Sequence, residues 1–173
     1  MDIKTINALT AEQLKGCPPI APTPALQQPE LRFVKVLMWD KPAFEQGWTT
    51  TTHYAYDDPV LLAWLAGGGN YGIATGRGNL LVFDVDDTRR MEELGILQIL
   101  TKEYPTYKVR TRSGGLHLYY YCPGFDKKRV MYDLTLTEKE LVDDKKGGQK
   151  EITTYKHLGE LQWLGQQCVA PTS

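Results

Sequence analysis

The chain has 173 residues, enough for one well-buried domain and short for two, with the 42% hydrophobic and 24% charged content of an ordinary globular protein. A net charge of −1 excludes a global basic field, and no apolar run approaches the roughly 20 residues that span a bilayer. The opening MDIKTINALTAEQLKG lacks signal- and transit-peptide patterns, so a cytoplasmic location without membrane partners is expected.

Residues 1–29 read as a lead segment and 30–173 as the folded domain. Thr10 and Gln13 have capping-box spacing for a short helix. Five of the ten prolines then fall between Pro18 and Pro29, which predicts an extended arm with no regular element. LRFVKVLMW alternates as a strand. Asp58-Pro59 sets a cap and a first-turn proline before the helix VLLAWLA, which Gly67, Gly68 and Gly69 stop. Glycine-rich NYGIATGRGN, residues 70–79, is expected to turn the chain into the next strand and to bring Arg77 near a cleft. It is neither a Walker loop nor a GxGxxG motif.

NLLVFDVD reads as a strong buried strand. TRRMEELGILQILTKEY follows with helical periodicity, weakened by Gly95 and closed by Pro105. TYKVRT and LHLYYY are expected as two strands joined by a Ser113-Gly114-Gly115 turn. Thr137 and Glu140 suggest another short capped helix, with DDKKGGQK as a surface loop after it. EITTY, ELQWL and QCVAP close the chain as strands. Helices and hairpins interleave, which gives a mixed-sheet α/β (α+β) domain.

Three groups of residues could carry chemistry. Asp84 and Asp86 lie at the carboxyl end of an apolar strand, and a spacing of two puts both on one face. Carboxylates so placed, without a basic partner, repel unless a cation lies between them, and Mg2+ takes oxygen ligands. The plainer role of helix cap falls better to Asp87 and Thr88. In SGGLH, the Ser113–Gly115 turn can present backbone N–H groups to an anion, and His117 and Tyr119 share a strand face beyond it. Alone, a strand histidine is more often structural and a glycine turn is more often only a hairpin. Glu160 sits in the apolar, aromatic segment GELQWL, where a charge is costly without a partner. A shared metal would supply one; an edge strand facing water would serve as well. Finally, Lys108, Arg110, Arg112, Lys127, Lys128 and Arg129 stand against one aspartate between Lys108 and Val130, a local charge of +5 that matters only if it borders a site. Cys17, Cys122 and Cys168 are too scattered for a disulfide framework or zinc knuckle.

Taken in order, KPAFEQGW, the helix with Trp64, YGIATGRGNLLVFDVD, PTYKVRTRSGGLHLYY and GELQWLGQQCVAPTS resemble the primase-polymerase branch of the archaeo-eukaryotic primase superfamily, from about Lys41 to the last residue. The resemblance implies an α/β unit packed with an RNA-recognition-motif-like sheet unit. It implies a two-metal nucleotidyl transfer using Mg2+ or Mn2+ held by Asp84, Asp86 and Glu160. The third carboxylate of the family is usually aspartate. The phosphate-binding histidine maps to His117, with Ser113, Gly114, Gly115, Arg112 and Arg77 as further nucleotide-binding residues. Lys108, Arg110, Lys127, Lys128 and Arg129 become a track for nucleic acid. Nucleoside triphosphates and a single-stranded or primed DNA template are the implied partners, and relatives often continue into a helicase or accessory domain. Some carry a zinc stem before the third motif; residues 122–157 hold only Cys122, so no zinc is expected.

Two other readings compete. FDVDDT also matches the DxDxT motif of haloacid-dehalogenase-like phosphatases, with Asp84 as nucleophile, but Asp143-Asp144 lies in a hydrophilic stretch where that family needs a strand end. A non-catalytic nucleic-acid-binding module could stack bases on Tyr119, Tyr120, Tyr121 and Trp163. Such a binder gives no reason to set carboxylates against a phosphate-binding face.

Overall fold

The computed structural model describes residues 21–38, 40–111, 113–127, 129–143 and 148–170. The expected helix at Thr10–Gln13, the side chains of Arg112 and Lys128, and the closing residues 171–173 lie outside them. Two compact units emerge, one from the described parts of 1–82, 120–127 and 162–173, the other from those of 83–119 and 128–161. Together they make the mixed α+β architecture that the interleaved pattern predicts. Among the described residues no helix is long and apolar enough to cross a membrane.

In the first unit, β1 (Phe33–Val36), β2 (Asn70–Ala74) and β8 (Gln167–Val169) form an antiparallel sheet in the order β1-β2-β8. Helix α1 (Pro59–Ala66) starts as its sequence dictates: Asp58 Oδ1 accepts from Val60 N at 2.8 Å, and Pro59 fills the first turn. Its Leu61 and Leu65 are buried, with Phe33, Tyr71 and Ile73 among the unit's other core residues. Two expectations change here. Residues 70–74 are a fully buried central strand and only 77–79 form the turn. The glycine there marks a close approach, since a Cβ on Gly72 would collide with the Gln167 side chain. The proline-rich segment is not wholly irregular either. Pro24–Leu26 make a 3-10 turn that buries Leu26.

The second unit is built on a five-stranded sheet, order β4-β5-β3-β7-β6. Its strands are β3 (Leu80–Val85), β4 (Tyr107–Arg110), β5 (Leu116–Tyr121), β6 (Arg129–Asp143) and β7 (Gln149–Gln162). β3 is central and apolar, with Val82, Phe83 and Val85 buried. Helix α2 (Thr88–Glu93) follows it, capped by Asp87, whose Oδ1 accepts from Arg90 N at 2.8 Å. Gly95 breaks the long helical pattern with a left-handed φ of 72°, and a short helical turn and a π-type turn complete it.

The capped helix expected at Thr137–Glu140 is instead part of β6, where Thr137 to Asp143 pair in register with Tyr155 to Gln149. That unbroken run of pairs satisfies the backbone groups that a cap would otherwise serve. Residues 144–147 of the expected loop lie outside the described residues. Between Asp133 and Thr137 the register shifts, and the buried Asp133 faces Arg90 Nε at 2.5 Å. The Thr135 hydroxyl and backbone N–H, then Arg90, hold that carboxyl down at about 2.

Candidate active site

Asp84 is the fifth residue of β3, and Asp86 follows the strand's end. The neighbours of β3 are β5 and β7, so only those two strands can bring side chains directly alongside the pair. β5 brings His117, whose Nε2 lies 3.4 Å from Asp84 Oδ1, with the histidine side chain 12% exposed. Its Nδ1 is buried and finds no hydrogen-bond partner among the described residues. The ring meets Tyr119 edge-on at 6.3 Å.

β7 brings two groups. His157 Nδ1 is 3.2 Å from Asp86 Oδ2, and its Nε2 is 3.8 Å from Glu160 Oε1. On a regular strand residues 157 and 160 face opposite sides. Here Tyr132 pairs with His157 and Met131 with Gly159, so Leu158 is an extra residue in the ladder. The bulge returns His157 and Glu160 to one face. The Leu158 carbonyl also accepts from Asp86 N at 3.0 Å and Asp87 N at 3.2 Å, tying the end of β3 to β7.

Two glycines permit these approaches. A Cβ on Gly159 would overlap the Asp84 carbonyl oxygen, and one on Gly115 would stand 2.5 Å from Val85 O. Gly114 has a left-handed φ of 93°, and its N–H donates to Thr111 O at 3.0 Å. That amide is therefore engaged inside the turn. Ser113 Oγ lies 3.1 Å from Thr111 Oγ1.

The carboxylates feel one another. Burial first, then the charges of Asp84 and Glu160, raise the Asp86 pKa, while His157 and His117 oppose the rise. Asp87, in contrast, is lowered, first by Lys156 at 2.6 Å and then by the Arg90 amide. Cap and candidate ligand are thus separated by environment, although they are adjacent in the chain. Among the described residues no three His, Cys, Asp or Glu side chains stand close enough, as they are, to hold a metal ion. The donor chemistry nevertheless fits a hard divalent cation, with three carboxylates close enough for two of them to raise the pKa of the third.

The other expected residues are spread more widely. Lys108 and Arg110 are exposed on β4, but Val109 pairs with His117, so both basic residues face the opposite side of the strand pair from that histidine. Arg129 is exposed on β6, opposite Leu161. Lys127 and Arg77 belong to the first unit. The Arg77 guanidinium donates to Thr50 O at 3.1 Å. Of the aromatic side chains, Tyr119 and Trp163 are core, the latter edge-on to Phe125 at 5.3 Å.

Sequence reasoning missed His157. Its spacing of three from Glu160 signals nothing on a regular strand; Gly159 between them is the only hint of a bulge.

Residues 8–173 match the family model described as bifunctional DNA primase/polymerase, N-terminal. The match begins well ahead of residue 30. No curated protein matches the chain.

Proposed function

The chain belongs to the family of bifunctional DNA primase/polymerase N-terminal domains, and from that membership we propose that it is a metal-dependent nucleotidyltransferase. It joins nucleoside triphosphates on a DNA template, making a primer, extending one, or both. We assign the catalytic domain to residues 30–173. The observation that carries the reading is the gathering of Asp84, Asp86, His117 and Glu160 from three neighbouring strands in a chain of this family.

Divalent cations, Mg2+ or Mn2+, would be held by Asp84, Asp86 and Glu160, and would neutralise triphosphate charge and acidify the attacking hydroxyl. Glu160 reaches one methylene farther than the aspartate usual in the family, and the bulge at Leu158 resets the face from which it does so. His117 holds the triphosphate, with Ser113 beside it on the turn. Nδ1 is buried, so Nε2, 3.4 Å from the Asp84 carboxylate, is the nitrogen that would face a phosphate. Burial of the imidazole makes its contact with a phosphate stronger than the same contact in water.

The phosphatase alternative also uses Asp84, but the family match over 8–173 does not favour it, and Asp143 is exposed at the end of β6. A purely binding role leaves the crowding around Asp86 without a purpose. The test is extension of a labelled primer on a DNA template with ribo- and deoxyribonucleotide sets, with Mg2+, with Mn2+ and with chelator. Extension that needs a divalent ion supports the reading. Absence of transfer under every condition, from folded protein, refutes it.

A further inference from the structure

Resting on that reading, one more residue has a place in the acidic cluster. His157 projects from β7 with its Nδ1 3.2 Å from Asp86 Oδ2 and its Nε2 3.8 Å from Glu160 Oε1. Neighbouring ligands of an octahedral ion with bonds of about 2.1 Å stand about 3 Å apart. The imidazole nitrogen and the Asp86 oxygen are already at that spacing. Glu160 stands beside the other ring nitrogen, whose lone pair points away from that of Nδ1, so the imidazole can share an ion with Asp86 through Nδ1 alone. Tyr132 meets the ring edge-on, with centroids 5.7 Å apart and planes at 71°, which limits its rotation. Lys156, the adjacent cation, is engaged by Asp87 at 2.6 Å.

We propose that His157, through Nδ1, is a nitrogen ligand to a cation that it shares with Asp86, and that it biases the site toward first-row transition ions such as Mn2+ over Mg2+. Mg2+ keeps oxygen ligands and sheds water reluctantly, whereas transition ions accept imidazole nitrogen readily. Carboxylates alone provide no such discrimination. A histidine that merely held Asp86 in position would treat both ions alike.

The test is binding of Mn2+ and, separately, Mg2+ to the full chain without nucleotide, by calorimetric titration of wild type, His157→Ala and His157→Gln. Pulsed electron paramagnetic resonance of the Mn2+-loaded proteins reads nitrogen coupling directly. Even residues that only support a metal ligand cost about tenfold or more in affinity when replaced. Both variants should therefore lose at least about tenfold in Mn2+ affinity while Mg2+ affinity changes by less than about twofold. Nitrogen coupling should be present in wild type and in His117→Ala, and absent from both His157 variants. The glutamine variant keeps much of the side-chain volume, and an unchanged circular dichroism spectrum separates ligand loss from misfolding. Coupling that persists in His157→Ala, or equal loss of both ions, overturns the inference and leaves the polymerase reading standing. A wild-type chain that binds neither ion overturns the inference, and the polymerase reading falls with it only if primer extension also fails under every condition.

Discussion

Gly159→Ala is a small change with a calculable consequence. The new methyl would overlap the Asp84 carbonyl oxygen and stand 3.2 Å from Val85 Cα and 3.3 Å from Asp84 C. All of these are backbone atoms of β3, which cannot swing aside as a side chain can. Restoring ordinary contact requires β7 to move away from β3 by roughly 1 Å. Overpacking of this kind costs about 1–3 kcal/mol, and each kcal/mol lowers Tm by roughly 2–4 °C in a chain of this size. The chemical effect should be larger, because β7 carries His157 and Glu160 while β3 and the residue after it carry Asp84 and Asp86. A misplacement of about 1 Å between reacting groups can cost about 100-fold in rate. Primer extension on protein whose folded fraction is checked by thermal denaturation should show a fall of that order, with Tm reduced by several degrees. A Gly159→Ala variant with wild-type Tm and wild-type rate would refute the argument that Gly159 sets the approach of the two strands.

Further outcomes follow from the same geometry. Ionising Asp86 is harder in the folded chain than in the unfolded one, so its favourable contribution is complete below the ordinary carboxylate pKa and is lost as pH rises through the raised value. With chelator present, Asp86→Asn should melt above wild type at neutral pH, and the gap should close on acidification; a gap independent of pH contradicts the assignment. Glu160→Gln should lower the rate by orders of magnitude with little change in Tm, and Glu160→Asp should retain part of it; equal rates for the two variants would remove Glu160 from the ion site. His117→Ala should weaken nucleotide binding more than DNA binding in parallel titrations, and the opposite pattern would reassign it to the template.

Much of this arrangement is legible in the sequence wherever a local pattern and its long-range consequence agree. NLLVFDVD is a strand because it is apolar and rich in strand-forming residues, and its central place in the sheet keeps it so. Asp58-Pro59 and Ser113-Gly114-Gly115 carry their own cap and turn chemistry. The failures have the opposite character. Thr137 and Glu140 have cap spacing, yet strand pairing with residues 155 to 149 outweighs a motif that contributes only about 1 kcal/mol. Gly72 reads as a turn residue, yet it lies in a buried strand because pairing with Val34 on one side and Val169 on the other holds it in the sheet. Leu26 falls in the proline-rich segment expected as an irregular extended arm, yet it is buried in a 3-10 turn. In the site itself, Asp84, Asp86, His117 and Glu160 are legible through spacing and family motif. His157 is not, because alternation assigns it to the wrong face, and the extra residue that corrects this is visible only once β6 and β7 are paired.

If Asp84 and Asp86 hold the ion on which transfer depends, the Asp84→Ala/Asp86→Ala double variant must lose that chemistry while keeping the fold. Relieved of the buried charge, and of the repulsion that adds to burial in raising the Asp86 pKa, this variant should melt no lower than metal-free wild type. In a template-directed extension assay it should make no product with Mg2+ or Mn2+, where wild type makes product with a divalent ion and none with chelator. Product from the folded double variant at the wild-type rate would remove both aspartates from the ion site.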